Sequence, residues 1–194
     1  MTELAAALVE RGEPERARTL QETSLALQRR LHGPEHPLVL DLQSGLAATC
    51  FASGDLESAR ELQADVVETR TRLLGDDAAE TLVAKSGLAR VLATTGDLDV
   101  ARDLYREVVQ RRRESLGDDD PATLAAMTGL ATTLHLRGER AEAQALYEQV
   151  LDRRRVLLGR DHPKTLAAQR NLERATRTKG GADAGLDDER PRRT

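Results

Sequence analysis

Apolar positions in this chain recur with two periods at once. Within segments they fall at helical spacing. Over residues 121–137 (PATLAAMTGLATTLHLR), Leu124, Met127, Leu130, Ala131 and Leu134 share one helix face. Over residues 141–158, Ala143, Leu146, Tyr147, Val150 and Leu157 do the same. No stretch alternates with period two, so no strand is expected. Between segments the whole pattern returns every 42 residues without a gap. Gly12, Gly54, Gly96 and Gly138 form one column, and Gly33, Gly75, Gly117 and Gly159 another. Ala17, Ala59, Ala101 and Ala143 form a third, and Leu20, Leu62, Leu104 and Leu146 a fourth. Leu40, Leu82, Leu124 and Leu166 align, as do Leu4, Leu46, Leu88, Leu130 and Leu172.

Each unit therefore predicts two helices, and a unit alone cannot bury its apolar faces. Stacked units bury one another's. The expected fold is all-α, a solenoid of about nine helices spanning residues 1–178. Its units lie at about 2–33, 37–75, 79–117 and 121–159, with a capping helix over 163–177. Thr2 is placed to cap a short first helix over 3–11. Residues 179–194 (KGGADAGLDDERPRRT) are rich in Gly and charge and are expected to be disordered. The alanine column marks a close approach of helices, where a larger side chain overpacks the contact.

The stretches LHGPEHPLVL, LLGDDAAETL, SLGDDDPATL and LLGRDHPKTL are four versions of one turn between units. The Gly stops one helix, and Pro37, Pro121 or Pro163 opens the next at its first position, where a missing N–H does no harm. Acidic residues sit where the helix dipole favours negative charge. His36 and His162 are replaced by Ala78 and Asp120 in the other copies, which argues against a catalytic or metal-binding histidine.

Composition narrows the function. Aromatics make up 2% of the chain and Trp is absent, so Leu, Val and Ala must build the core. The net charge of −4 argues against a nucleic-acid or anionic-membrane partner. A single cysteine, Cys50, allows no internal disulfide, and it shares a core column with Leu8, Leu92 and Leu134. No basic leader opens the sequence, and no run reaches the ~18 apolar residues of a membrane span, so the cytoplasm is the expected location. No nucleophile–base set, phosphate-binding loop or metal-ligand cluster stands out, so no catalytic residue, cofactor or metal is expected.

The Leu46-Ala47 pair, Gly54 and Ala59, with their equivalents in every unit, resemble the tetratricopeptide repeat. The 42-residue length and the LGxDHPxTL turn are more narrowly similar to the kinesin-light-chain type. The resemblance covers about residues 2–177. It implies a right-handed superhelix that is not an enzyme and that binds a peptide or protein segment in a concave groove lined by the first helices. The groove positions it implies are Asp41, Ser44, Ala48 and Phe51, then Val83, Ser86 and Arg90. Ala125, Thr128, Thr132 and His135 follow, and then Arg170, Asn171 and Arg174. The kinesin-light-chain type has an Asn-Asn pair before Leu-Ala, which holds a ligand backbone. Here it reads Ser44-Gly45, Ser86-Gly87, Thr128-Gly129 and Arg170-Asn171, so only Asn171 keeps the second asparagine.

Several readings stay open at this level. The mid-helix glycines signify either close helix packing or a groove floor that a ligand approaches closely. Phe51 is either a partner anchor or a packing residue. The runs Arg111-Arg112-Arg113 and Arg153-Arg154-Arg155, with Arg70, Arg112 and Arg154 as a ladder, make either a solvated face or a surface for an anionic partner. Glu107 and Glu68 stand four residues before Arg111 and Arg72, placed for local ion pairs. The alternative to a groove binder is a structural module, a homo-oligomer stacked through its end units, or the repeat part of a larger regulatory protein.

Overall fold

The structure, a computed structural model, describes Leu4, Ala7, Leu8 and residues 11–177. Eight helices are bounded there: α1 (Pro14–His32), α2 (Pro37–Ser53), α3 (Leu56–Leu74) and α4 (Ala79–Thr95), then α5 (Leu98–Leu116), α6 (Pro121–Leu136), α7 (Arg140–Leu158) and α8 (Pro163–Arg177). No strand occurs among the described residues. Of the helix expected over 3–11, Leu4, Ala7 and Leu8 are helical, Arg11 lies in a turn, and the rest is outside the described residues. The tail at 179–194 also lies outside. Each helix packs on the next in sequence, so the chain is a linear stack of antiparallel pairs. The first helices of consecutive units, α2 with α4 and α4 with α6, also meet directly.

Local chemistry sets the helix ends. Gly54, after α2, has φ 87° and ψ 2°, the left-handed C-terminal stop. Gly117, after α5, has φ 83° and ψ 171°, a region essentially reserved for glycine, and its column repeats that conformation. At the start of the first helices, Asp120 Oδ1 accepts from the backbone N–H of Ala122 at 2.7 Å and of Thr123 at 3.4 Å. His36 Nδ1 accepts from Leu38 N at 3.2 Å, and His162 Nδ1 from Lys164 N at 3.1 Å. An imidazole nitrogen here stands in for a carboxylate, so the Asp-His turn is helix capping. Ala78 offers no side-chain cap to α4.

The core runs between the two helix layers. Ala17, Ala59, Ala101 and Ala143 are all fully buried, as close helix approach requires. Leu40, Leu82 and Leu124 are buried, but their counterpart Leu166 is 40% exposed, because no second helix follows α8 among the described residues. Leu157 is likewise exposed, contrary to its expected core place, and Leu151 is buried instead. The second helices are 19 residues long against 15–17 for α2, α4, α6 and α8. Their last turns therefore outreach their neighbours and leave Leu31, Leu73, Leu116 and Leu158 exposed too. An ion-pair series crosses the units at fixed spacing: Arg18–Asp55 at 2.8 Å, Arg60–Asp97 at 3.1 Å and Arg102–Glu139 at 4.0 Å. Each arginine of one second helix meets the acidic residue that opens the next.

Candidate binding face

The exposed side of the first helices carries the residues expected in a groove. Asp41, Ala48, Val83, Arg90, Ala125, Arg170 and Arg174 are exposed, while Ser44, Phe51, Ser86, Thr128, Thr132, His135 and Asn171 are half-buried. Many of the polar groups are already engaged. Ser86 Oγ donates to Leu82 O and Thr128 Oγ1 to Leu124 O, both at 2.8 Å. Thr132 Oγ1 donates to Thr128 O at 2.9 Å and lies 2.8 Å from the Tyr147 hydroxyl. Arg174 donates to Asn171 Oδ1 at 3.2 Å, so the one retained asparagine is held by its own helix. Ser44 Oγ and His135 Nδ1 are buried without a hydrogen-bond partner among the described residues.

One pair joins two units. The Arg90 guanidinium of α4 sits over the Phe51 ring of α2, 4.8 Å from its centroid. The ring gains a cation on its face and the arginine gains a fixed direction. Phe51 thus packs between units while still reaching the exposed side. Tyr105 lies beneath; burial pushes its phenol pKa up, and the nearby Arg90 charge opposes that shift.

The glycine column faces the preceding second helix. A Cβ on Gly87 would stand 2.6 Å from Gln63 Nε2, and one on Gly129 would stand 2.5 Å from the Tyr105 ring. Both glycines make room for a neighbouring side chain, which is the packing explanation. Gln63 uses that room to donate to Ala84 O at 2.9 Å.

The arginine ladder corrects the sequence reading. Arg70 and Arg112 are buried at 5% and 6% exposure, and Arg154 is half-buried, so they form no solvated face. Each reaches across to the next first helix, where its Nη1 donates to a backbone carbonyl: Glu80 at 3.1 Å, Ala122 at 2.8 Å and Lys164 at 3.2 Å. Arg70 also pairs with Asp41, Nη2 to Oδ1 at 2.5 Å. Burial lowers the pKa of Arg112 and of Arg154, with Asp120 opposing at Arg112. The outer arginines of each run are paired with carboxylates: Arg111 with Glu107 and Asp77, Arg113 with Asp118, Arg153 with Asp118 and Asp119, and Arg155 with Asp152. Arg72 pairs with Glu35 across units rather than with Glu68. Lys85 is a further buried cation, bonded to Asp76 at 2.6 Å and Glu107 at 2.7 Å. Its signal in the sequence was a lysine in the column of Gln43 and Met127. Cys50 is buried at 1% exposure, and burial pushes its thiol pKa up.

Among the described residues no group of His, Cys, Asp or Glu is assembled as metal ligands would be, and no helix is long and apolar enough to cross a membrane. A linear stack of helix pairs with an exposed first-helix side defines a helical repeat scaffold. The sequence matches the tetratricopeptide repeat family over residues 1–72, 39–114 and 77–155, and the chain belongs to that family. The structure is similar to the nearly identical TPR-like repeats of a Podosopora anserina protein assigned to the kinesin light chains. A substituted form of that protein gives a TM-score of 0.80 at 31% identity, covering 93% of this chain and 85% of the other. The unsubstituted form gives 0.78 at 31%, over 93% and 86%. BtubC of P. vanneervenii shares the fold, with a TM-score of 0.71 at 17% identity over 98% and 83%. No curated protein matches the chain by sequence.

Proposed function

We propose that this chain is a non-enzymatic scaffold that binds a peptide or protein segment along the exposed side of its first helices. The observation that carries this reading is the meeting of first helices between units. Those first helices contact one another more than the second helices do, and because a stack tighter on one side curves toward it, this side is the one proposed as concave. An extended segment laid there touches several units at once. Phe51 and Arg90 are the anchors of that surface, an aromatic and an arginine held in fixed orientation. Arg170 and Arg174 extend it over α8. Family membership supports a binding role, since tetratricopeptide repeats are interaction modules, but fold alone names no partner. The proposed site is therefore Asp41, Ser44, Phe51, Ser86, Arg90, Thr128, Thr132, His135, Arg170, Asn171 and Arg174.

The test is capture of partners from the native host by the full chain, repeated with Phe51, Arg90 and Arg170 changed to Ala. Loss of the captured partner with the helical content unchanged is the expected result. Capture undiminished in the triple variant means that another surface binds.

A further inference from the structure

The buried arginines differ in one respect that their repeat positions make plain. Arg70 is completed by Asp41, which stands 29 residues before it; the carboxylate is 68% exposed while the guanidinium side chain is 6% exposed. The acid thus reaches down from the solvent side of the first helix onto a cation set between helices. Twenty-nine residues before Arg112 stands Val83, and twenty-nine before Arg154 stands Ala125. Val83 is 56% exposed and Ala125 is exposed, so the approach that Asp41 uses is open at both, and neither residue can supply a charge.

A guanidinium carries five N–H donors. Among the described residues Arg112 and Arg154 each spend one on a side-chain hydrogen bond, to a backbone carbonyl. Among the described residues neither has a carboxylate within ion-pair distance, although both neighbours in each Arg-Arg-Arg run do. Asp120, near Arg112, is committed through Oδ1 to the first N–H groups of α6. A partly desolvated guanidinium short of acceptors favours a planar oxygen acid, which it holds with two parallel hydrogen bonds.

We infer that Arg112 and Arg154 are two repeat-equivalent carboxylate sites on the first-helix face, filled by acidic side chains of a bound peptide as Asp41 fills the site at Arg70. This rests on the groove reading above and names the chemistry of its ligand: a segment with acidic residues spaced to meet successive units. In the first of the three sites the chain supplies its own acid, so the segment binds toward the C-terminal units.

The experiment uses the full chain with arginine side chains labelled for NMR, titrated with a blocked octaglutamate peptide, octaglutamine and inorganic phosphate. Octaglutamate is expected to shift the side-chain resonances of Arg112 and Arg154 and to leave Arg70 in place; octaglutamine shifts none. Val83→Asp and Ala125→Asp supply an internal acid above each site and avoid removing a buried arginine. Each is expected to weaken octaglutamate binding about tenfold, the scale of one charge-assisted pair. Ala64→Asp adds the same charge at an exposed position on α3, outside the groove and away from either site, and is expected to change affinity less than about threefold. Asp41→Ala is expected to add Arg70 to the set of shifted resonances. Equal losses for Ala64→Asp and Val83→Asp would reduce the effect to net charge and overturn the proposal. So would shifts produced by phosphate but not by octaglutamate. An octaglutamate that moves neither arginine ends this inference while leaving the groove reading to its own capture test.

Discussion

The two halves of the stack fill the same columns with opposite chemistry. In the N-terminal half, Gln21, Gln43, Gln63 and Lys85 are buried between helices at 2–6% exposure, and the one phenylalanine lies on the exposed side. In the C-terminal half the equivalents of Gln63 and Lys85 are Tyr105 and Met127, and Tyr147 follows in the next unit. These join Leu124, Leu130, Leu134, Val108 and Val150 in one continuous apolar cluster that runs to Ala175. The N-terminal half has two smaller clusters, around Cys50 and around Val66. The backbone repeat therefore accepts either chemistry at these positions. Burial of hydrocarbon holds one half, and the hydrogen-bonded Gln43, Gln63 and Lys85 hold more of the other, although Gln21 Oε1 is buried without a partner among the described residues.

The contrast predicts unequal costs for equivalent truncations. Tyr147→Ala removes a ring at 2% exposure and its hydroxyl contact with Thr132, and should cost about 3–5 kcal/mol. Gln63→Ala, two units earlier in the same column, gives up one hydrogen bond to a carbonyl and should cost only about 1–2 kcal/mol. Urea unfolding of both variants measures the difference. Equal costs would mean that the two halves are held alike.

Adding one methyl group tests the same contrast from the other direction. Gly129→Ala drives Cβ into the buried Tyr105 ring, whose two torsions leave it little room to move. Overpacking of about 1–3 kcal/mol should outweigh the roughly 1 kcal/mol that alanine gains in a helix. Gly87→Ala meets only the end of a flexible Gln63 side chain and should be close to neutral. Thermal melts that rank the two the other way would show the tyrosine to be the more adaptable neighbour. Asn171 illustrates the accommodated case, since it carries a Cβ and Tyr147 in the facing column turns its hydroxyl to Thr132.

Lys85 is where the polar half ends, one unit before Met127. Burial opposes its charge, but the hydrogen bonds it donates to Asp76 and Glu107 outweigh burial and raise its pKa above 10.5. The Lys85 ammonium in turn holds the Asp76 carboxyl below 3.8. A depressed carboxyl stabilises the fold above its unfolded value and loses that contribution as pH falls through the folded one. A raised ammonium stabilises the fold below its unfolded value and loses that contribution as pH rises through the folded one. Lys85→Met copies the next unit's residue and leaves both carboxylates open to water. It should stabilise the protein at neutral pH by about 1 kcal/mol, since replacing a buried charge by a well-packed apolar group is often favourable. Stability curves of the variant should also be flatter below about pH 4 and above about pH 10.5. A loss at neutral pH would show the ion triad to be worth more than hydrocarbon there.

Helix order and the positions of the turns could be read from columns of Gly, Ala and Leu, because those positions are fixed by backbone geometry and close packing. Direction in space was harder to read. Arg70, Arg112 and Arg154 share a helix with exposed arginines, and only the next unit's carbonyls explain why their guanidinium groups turn inward. Leu157 failed as a core residue because helix length relative to its neighbours is invisible in a 3.6-residue period. The use of the turn histidines as helix caps depends on one ring nitrogen facing one N–H, which residue spacing does not carry. On the candidate face, the positions came from the family resemblance, whereas the Phe51–Arg90 pair needs two units side by side.

That pair offers the finest test of the comparison, because it is the aromatic contact that the N-terminal half keeps outside its core. Phe51 and Arg90 belong to different units, so their interaction can couple α2 to α4 without adding to the interior. The equivalent positions one unit on are Ala93 and Thr132, which make no such contact, and Thr132 turns to Tyr147 instead. A double-mutant cycle with Phe51→Leu and Arg90→Met retains most of the apolar bulk while removing the ring and the charge. The expected coupling energy is about 0.5–1 kcal/mol, the scale of a cation over an aromatic face at a partly exposed site. Because attraction between a cation and a ring quadrupole is short-ranged, that coupling should change little between low and high salt, unlike the exposed Arg60–Asp97 pair. A cycle that closes without coupling would leave Arg90 resting on the ring by packing alone. The N-terminal half would then be joined across units by its ion pairs and buried polar contacts.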